Sequence, residues 1–156
     1  MKTMALTGHR DNKIVDIDAG LEFLDSQLKR WRPDTLICGM ANGWDLCAGM
    51  YGLERGVDIV AARPWLGHKP TKDDRKVYKT ILDEAVEIVV VNQSVDYPGP
   101  WVYQARNKWM VDHCDMVVAY FDGSSGGTNN CINYAISRDV PIVRFNPQTL
   151  EVDDGK

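Results

Sequence analysis

The sequence predicts an α/β fold: a three-layer sandwich in which a mostly parallel six-stranded sheet lies between helices on both faces. Three observations predict it. Short apolar runs alternate with helix-length amphipathic segments along the whole chain. Most of those runs lack period-2 alternation, as strands covered on both faces do. The runs expected as the first, second and fifth strands each end in a glycine-containing loop, and in parallel sheets ligands bind at the carboxyl ends of strands.

Each element can be justified in turn. Thr3 to Leu6 reads as the first strand, ended by Thr7-Gly8-His9-Arg10, where the Arg offers a bidentate fork to an anion. From Asp16 to Arg30, Ile17, Leu21, Leu24 and Leu28 share one face of an amphipathic helix that stops before Pro33. Thr35 to Cys38 is the second strand, followed by the loop Gly39-Met-Ala-Asn-Gly43 and a helix beginning near Trp44. Asp45 falls in its first turn. A carboxylate is favoured there by the helix dipole, and it is also placed to hydrogen-bond ligand hydroxyls. Gly49 and Gly52 make the helix poor by propensity and predict close packing against the sheet.

Val57 to Ala62 is the third strand, leading into a long polar loop from Arg63 to Pro70. Trp65 in that loop suits either of two roles, stacking on a nucleobase or covering the open end of the core. Thr71 and Asp74 resemble a capping box for a helix running to about Glu84. Ile88 to Val91 forms the fourth strand, and Pro98-Gly99-Pro100 closes an irregular loop from Asn92. The next helix spans about Trp101 to Cys114, with Val102, Ala105, Trp109 and Met110 as its apolar face and Arg106 and Asn107 beside it. Pro141 to Phe145 is the sixth strand. Residues 1–147 read as one domain and 148–156 as a polar, frayed tail.

The stretch between these last two elements organises the rest. Met116 to Phe121 is an unbroken apolar run of buried-strand length. Asp122 to Thr128 is almost all Gly and Ser, so the backbone can turn sharply and approach a ligand. From Asn129, Ile132, Ala135 and Ile136 recur at helical spacing, with Thr128 expected as N-cap. Strand, glycine loop and helix N-terminus together form an anion site, because free N–H groups and the positive dipole end converge on one point.

Bulk properties narrow the function. A chain of 156 residues is enough for one domain with a proper core. Its net charge of -4 gives no support to a general nucleic-acid binder. Cys38, Cys47, Cys114 and Cys131 follow no C-x-x-C spacing and sit in or beside apolar segments, so they read as reduced, mostly buried thiols. The histidines do not pair with them at metal-ligand spacing, and neither a metal nor another cofactor is expected. No run approaches transmembrane length and no signal peptide is evident, so a cytoplasmic protein with no membrane partner is expected.

The order of Thr7-Gly8-His9-Arg10, Gly39-Met-Ala-Asn-Gly-Trp-Asp45, Arg106-Asn107-Lys108-Trp109-Met110 and Gly126-Gly127-Thr128 resembles the SLOG superfamily. These are Rossmann-like proteins that include the cytokinin-activating (LOG-type) phosphoribohydrolases, the DNA-processing protein DprA and the YpsA-like proteins of bacteria and phages. The likeness covers nearly the whole chain and is nearest to the YpsA-like branch. It implies a pocket for a nucleotide or nucleotide-derived ligand, with Ser125, Gly126, Gly127 and Thr128 around phosphate and Arg106 beside them. The remaining binding candidates are Gly8, His9, Arg10, Gly39, Asn42, Gly43, Asp45 and Trp65. Family members often self-associate, and the face from Val102 to Trp109 fits that role as well as it fits a core.

One departure bears on chemistry. The phosphoribohydrolases carry a Glu three residues after the Thr of their P-G-G-x-G-T-x-x-E motif, and here that position is Cys131. A thiol in a first helical turn is expected to have a lowered pKa, yet it does not replace a carboxylate at an oxocarbenium-like centre. Asp45 is then the candidate catalytic carboxylate, ahead of Asp122 and Asp115. Three functions follow in order: a binder of a nucleotide-derived small molecule such as an ADP-ribose-type signal, an N-glycosidic hydrolase or transferase, and a DprA-like binder of single-stranded nucleic acid.

Overall fold

The computed structural model describes residues 2–10 and 13–154, so residues 1, 11 and 12 of the expected domain and the last two residues of the expected tail lie outside the described residues. Six parallel strands form the sheet: β1 (Thr3–Gly8), β2 (Thr35–Cys38), β3 (Asp58–Trp65), β4 (Glu87–Asn92), β5 (Met116–Tyr120) and β6 (Ile142–Phe145). A seventh, β7 (Val152–Asp153), pairs antiparallel with β6. Between them run α1 (Ile17–Trp31), α2 (Trp44–Glu54), α3 (Arg75–Glu84), α4 (Trp101–Asp112) and α5 (Gly127–Ser137).

The strand order is β4-β3-β2-β1-β5-β6-β7. The chain walks outward from β1 to β4, and α4 then carries it back to the other side of β1. The order therefore reverses between β1 and β5, and their carboxyl ends frame the crevice where such sheets take ligands.

Both faces of the sheet are covered. Met4, Leu6, Leu36, Ile59 and Val118 pack against α1, α2 and α3, while Ala5, Ile37, Val60, Val117 and Ile142 pack against α4 and α5. Alternate residues of β1, β2, β3, β5 and β6 serve opposite cores, which is why these strands read as continuous apolar runs. The small residues of α2 behave as expected: a Cβ on Gly52 would fall 2.4 Å from Leu36 Cδ1. The largest packing unit lies under the crevice. Trp44 and Tyr120, both fully buried, stack with ring centroids 5.0 Å apart. Each such burial contributes about 1.5–3 kcal/mol or more.

Several expectations need correction. The third strand continues through Arg63-Pro64-Trp65, because β3 pairs with β4 as far as Trp65 and Asn92. The seventh strand forms part of what was expected to be a frayed tail. Asn146 Oδ1 accepts the N–H groups of Gln148 and Thr149, and the Asn146 N–H donates to the Glu151 carbonyl, closing a hairpin that no periodicity announces. Thr71 Oγ1 and Asp74 Oδ2 lie 3.2 Å apart, but a 3₁₀ turn over Lys72–Asp74 intervenes before α3. On α4 the buried residues are Val102, Arg106, Asn107, Met110 and Val111. Ala105 is only half-buried and Trp109 stacks on His113 at 4.1 Å, so the inner face is more polar than expected.

Candidate functional site

A cleft of about 260 Å³ opens at the carboxyl ends of β1 and β5, at the switch point of the sheet. Thr7 to Arg10 and Lys13 form one wall, Ser124 to Asn129 another, and Tyr103, Arg106 and Asn107 of α4 a third. Ala41 and Asp45 close the base. Among the described residues, the lining carries three cations, Arg10, Lys13 and Arg106, and one carboxylate, Asp45. In a chain of net charge -4 that is a local inversion of sign.

The glycine turn presents unpaired donors to this space. Gly126, with φ of 137°, precedes α5 and offers no side-chain cap. The first helical bond runs from the Asn130 N–H to the Gly126 carbonyl, at 2.9 Å. Among the described residues, the N–H groups of Gly127, Thr128 and Asn129 therefore have no acceptor, as the first turn of a helix leaves them. Because the helix begins at Gly127, Thr128 is its second residue and not the expected N-cap.

Arg106 is buried in the wall of the cleft, at 5% exposure. Its Nη1 donates to the Gly39 carbonyl at 2.8 Å, and Nε and Nη2 donate to Asn107 Oδ1 at 3.3 and 3.1 Å. A guanidinium has five N–H donors, so one on Nη1 and one on Nη2 remain unused by the described residues. Asp45 lies close by, its Oδ2 accepting the Ala41 N–H at 3.2 Å. Burial pushes the Asp45 carboxyl up to about 6, against the opposing charge of Arg106, the Ala41 N–H and the charge of Arg10. Gly39 makes this closeness possible. A Cβ there would sit 2.8 Å from Asp45 Oδ2 and 3.1 Å from Arg106 Nε.

His9 bridges the two strand ends. Its Nε2 is 2.9 Å from both the N–H and the Oδ1 of Asp122. Burial holds the imidazole below its ordinary range against the pull of Asp122, so the neutral ring accepts the N–H. Lys13 reaches across the mouth, its Nζ donating to Ser124 Oγ at 3.1 Å and the Ser125 carbonyl at 3.4 Å. The Tyr120 hydroxyl holds the same connection by donating to the Val15 carbonyl and accepting the Val15 N–H.

Of the residues expected from sequence, Gly8, His9, Arg10, Asp45, Arg106, Ser125, Gly126, Gly127 and Thr128 line the cleft. Gly8 has a second reason to be glycine, since a Cβ would fall 2.3 Å from Trp44 Cδ1. Gly39, Asn42, Gly43 and Trp65 lie outside the lining. Asn42 Oδ1 accepts the Thr71 N–H at 3.2 Å and so ties two loops together. Gly43, with φ of 98°, precedes α2. Trp65 packs edge-on against Tyr103 and also meets His68 and Tyr97. Sequence reasoning missed Lys13, Tyr103 and Asn107. Asn107 was visible beside Arg106, but nothing in the pattern marks Lys13 or Tyr103.

The other candidate carboxylates sit elsewhere. Asp122 accepts the Ser124 N–H at 2.9 Å, and its bonds to Ser124 and the nearby His9 outweigh burial to lower its pKa. Asp115 accepts the Thr3 N–H at the amino end of the sheet. Cys131 is buried in the core under α5, and burial pushes its thiol up to about 11, opposite to the lowering expected for a first-turn thiol. Of the other thiols, Cys38 is buried, Cys114 half-buried and Cys47 exposed, so the expectation of burial fails for Cys47. Among the described residues no cluster of His, Cys, Asp and Glu is arranged to hold a metal, and no helix is long and apolar enough to cross a membrane.

The architecture is a Rossmann-like α/β fold that several solved structures share. DNA processing protein A (DprA) from Streptococcus pneumoniae superposes with a TM-score of 0.74 at 19% identity, over 93% of this chain and 50% of that one. The same protein from Helicobacter pylori, in a structure concerned with its single-stranded DNA binding mode, gives 0.72 at 17%, over 92% of this chain and 65% of that one. The molybdenum cofactor carrier protein of Chlamydomonas reinhardtii gives 0.62 at 16%, over 93% and 76%. At these identities the likeness is one of fold. In sequence, the chain is similar to the uncharacterized SPbeta prophage-derived protein YoqJ of Bacillus subtilis (strain 168), 42% identical in an alignment over 72 residues, with 40% of this chain and 42% of that protein covered. No family model matches. The chain spans half of the pneumococcal protein and less than half of YoqJ. The expectation against nucleic acid, drawn from net charge, finds no support here, since one structure of this fold is described by its single-stranded DNA binding.

Proposed function

We propose that the cleft binds a nucleotide or nucleotide-derived small molecule through its phosphate, as a sensor or sequestering protein. The observation that carries this reading is the convergence of three unpaired N–H groups at the start of α5 with the cations Arg10, Lys13 and Arg106 in one cleft. Helix N-termini and guanidinium forks both favour a phosphate dianion. A cleft of about 260 Å³ is small among ligand pockets, which suits a mononucleotide better than a dinucleotide. Calorimetric titration with inorganic phosphate, ribose 5-phosphate, adenosine 5′-monophosphate, ADP-ribose and a short oligodeoxynucleotide tests it. Binding of the phosphorylated small molecules is expected. Binding of the oligonucleotide alone would refute the reading and favour the single-stranded nucleic-acid function suggested by the DprA-type fold.

A second reading rests on Asp45. A carboxyl raised to about 6 inside a cleft has the acid–base range that catalysis at neutral pH uses. In this reading the protein hydrolyses the N-glycosidic bond of a nucleoside monophosphate, with Asp45 stabilising positive charge on the ribose. Weak or no release of base is expected from the wild type, because Cys131 replaces the carboxylate of the phosphoribohydrolase motif and is itself out of the cleft. Whatever release chromatography detects should vanish in Asp45→Asn with binding largely kept. Release that persists in that variant removes Asp45 from the chemistry.

A further inference from the structure

We infer that Tyr103, with Arg10 as its movable cover, is the subsite for a planar heterocyclic base, so that the cleft discriminates a nucleoside monophosphate from a bare sugar phosphate. The inference rests on the phosphate reading above and extends it to the other end of the ligand. Tyr103 lines the cleft from α4 and is half-buried. Behind it, Trp65 packs edge-on at 5.8 Å and Tyr97 tilts against it at 6.2 Å, so the ring is buttressed by two other aromatics. Over it lies the Arg10 guanidinium, 4.7 Å from the ring centroid. Arg10 is exposed, and among the described residues its side chain has no hydrogen bond or ion pair to hold it there. A fixed aromatic ring under a displaceable planar cation is what a stacked base requires: the base takes the ring face, and the guanidinium settles on the base's other side.

The spacing fits. Asn107, one helical turn beyond Tyr103 on α4, donates through Nδ2 to the Gly127 carbonyl at 3.4 Å. Residues four apart on a helix are neighbours on one face, so Tyr103 stands beside the residue that touches the phosphate-binding turn, in the same cleft. This assigns base stacking to a residue the sequence did not single out, and gives Trp65 the role of positioning that residue.

The test compares ribose 5-phosphate with adenosine 5′-monophosphate by calorimetry on the wild type, Tyr103→Phe and Tyr103→Leu. Stacking on an aromatic ring typically strengthens binding by about tenfold or more per base. The wild type should therefore bind the nucleotide at least about tenfold tighter than the sugar phosphate. Tyr103→Leu should erase that difference while leaving ribose 5-phosphate unchanged, and Tyr103→Phe should retain it. The inference is overturned if the wild type binds both ligands equally, if Tyr103→Leu weakens both alike, or if Tyr103→Phe behaves as the leucine variant does. If neither ligand binds the wild type, the phosphate reading itself fails and takes this one with it, an outcome distinct from the other three.

Discussion

Gly127→Val should abolish phosphate binding while leaving the protein folded. A Cβ added at Gly127 meets no atom within 4 Å, so the substituent projects into open space and not into the core. Gly127 does not adopt a left-handed φ, so a branched side chain there brings no backbone strain of that kind. It is also the first residue of α5, and its N–H is one of the three donors without an acceptor among the described residues. The valine methyl groups would occupy the volume that a bound oxyanion needs. Losing charge-assisted hydrogen bonds to backbone N–H groups costs about 1.5–3 kcal/mol for each one removed, and a ligand excluded from the turn loses several. Affinity for inorganic phosphate and for ribose 5-phosphate should fall by at least about 100-fold, equivalent to about 2.7 kcal/mol. Stability in urea should change by no more than about 0.5 kcal/mol, as for an exposed substitution. Gly126→Val is the contrasting variant. Its φ of 137° is one that a branched residue adopts only with strain, so it should lose stability as well as binding. Normal phosphate affinity in Gly127→Val would remove the turn from the binding site.

The sheet was legible in the sequence because β1, β2, β3, β5 and β6 serve both cores and so read as uninterrupted apolar runs, while the edge strand β4, which gives only Val89 to one core, keeps an apolar run from Ile88 to Val91. The strand that the sequence hid, β7, is two residues long and exposed, held by an Asn146 turn that leaves no periodic trace. The binding candidates at the glycine loops were legible because glycine marks places where backbone must come close to something. What glycine does not reveal is what the neighbour is. At Gly8 it is the Trp44 ring, at Gly39 the Asp45 carboxylate and the Arg106 guanidinium, and at Gly127 open cleft. The inner face of α4 was misread for a related reason. Arg106 and Asn107 are polar, so a search for an apolar stripe passes over them, yet both are buried because the face they occupy is the wall of a site. Tyr103 was silent in the sequence: its function depends on Trp65 and Arg10, which reach it from β3 and from the end of β1.

That wall has an energetic consequence, and it separates binding from stability. Arg106→Ala removes the positive charge beside Asp45, whose carboxyl is buried and held in place by one N–H bond from Ala41. Removing one partner of a buried charge pair costs about 3–5 kcal/mol, because the other charge is left unpaired. The cost should depend on pH in a defined sense. The Asp45 carboxyl already stands raised from its ordinary 3.8 to about 6. A group with a raised folded-state pKa contributes stability that is fully present below the unfolded value and lost as pH rises through the folded one. Without Arg106 the folded value climbs further, so the loss of stability continues above pH 6, where the wild type has completed it. His9 and His68, both lowered chiefly by burial, drain stability in the opposite direction as pH falls below about 6.5. The charge of Arg106 is the second cause of the His68 lowering, so Arg106→Ala relaxes that shift as well. The difference between the two stability curves therefore isolates Asp45 only above about pH 6.5, where both imidazoles are neutral in folded and unfolded chains. The decisive variant is the pair Arg106→Ala with Asp45→Asn. Deleting the stranded charge should recover most of the lost stability, while phosphate affinity should stay about 10- to 100-fold below wild type, the worth of one charge-assisted contact. Recovery of both stability and affinity in the double variant would mean that Arg106 serves only to neutralise Asp45 and makes no contact with the ligand.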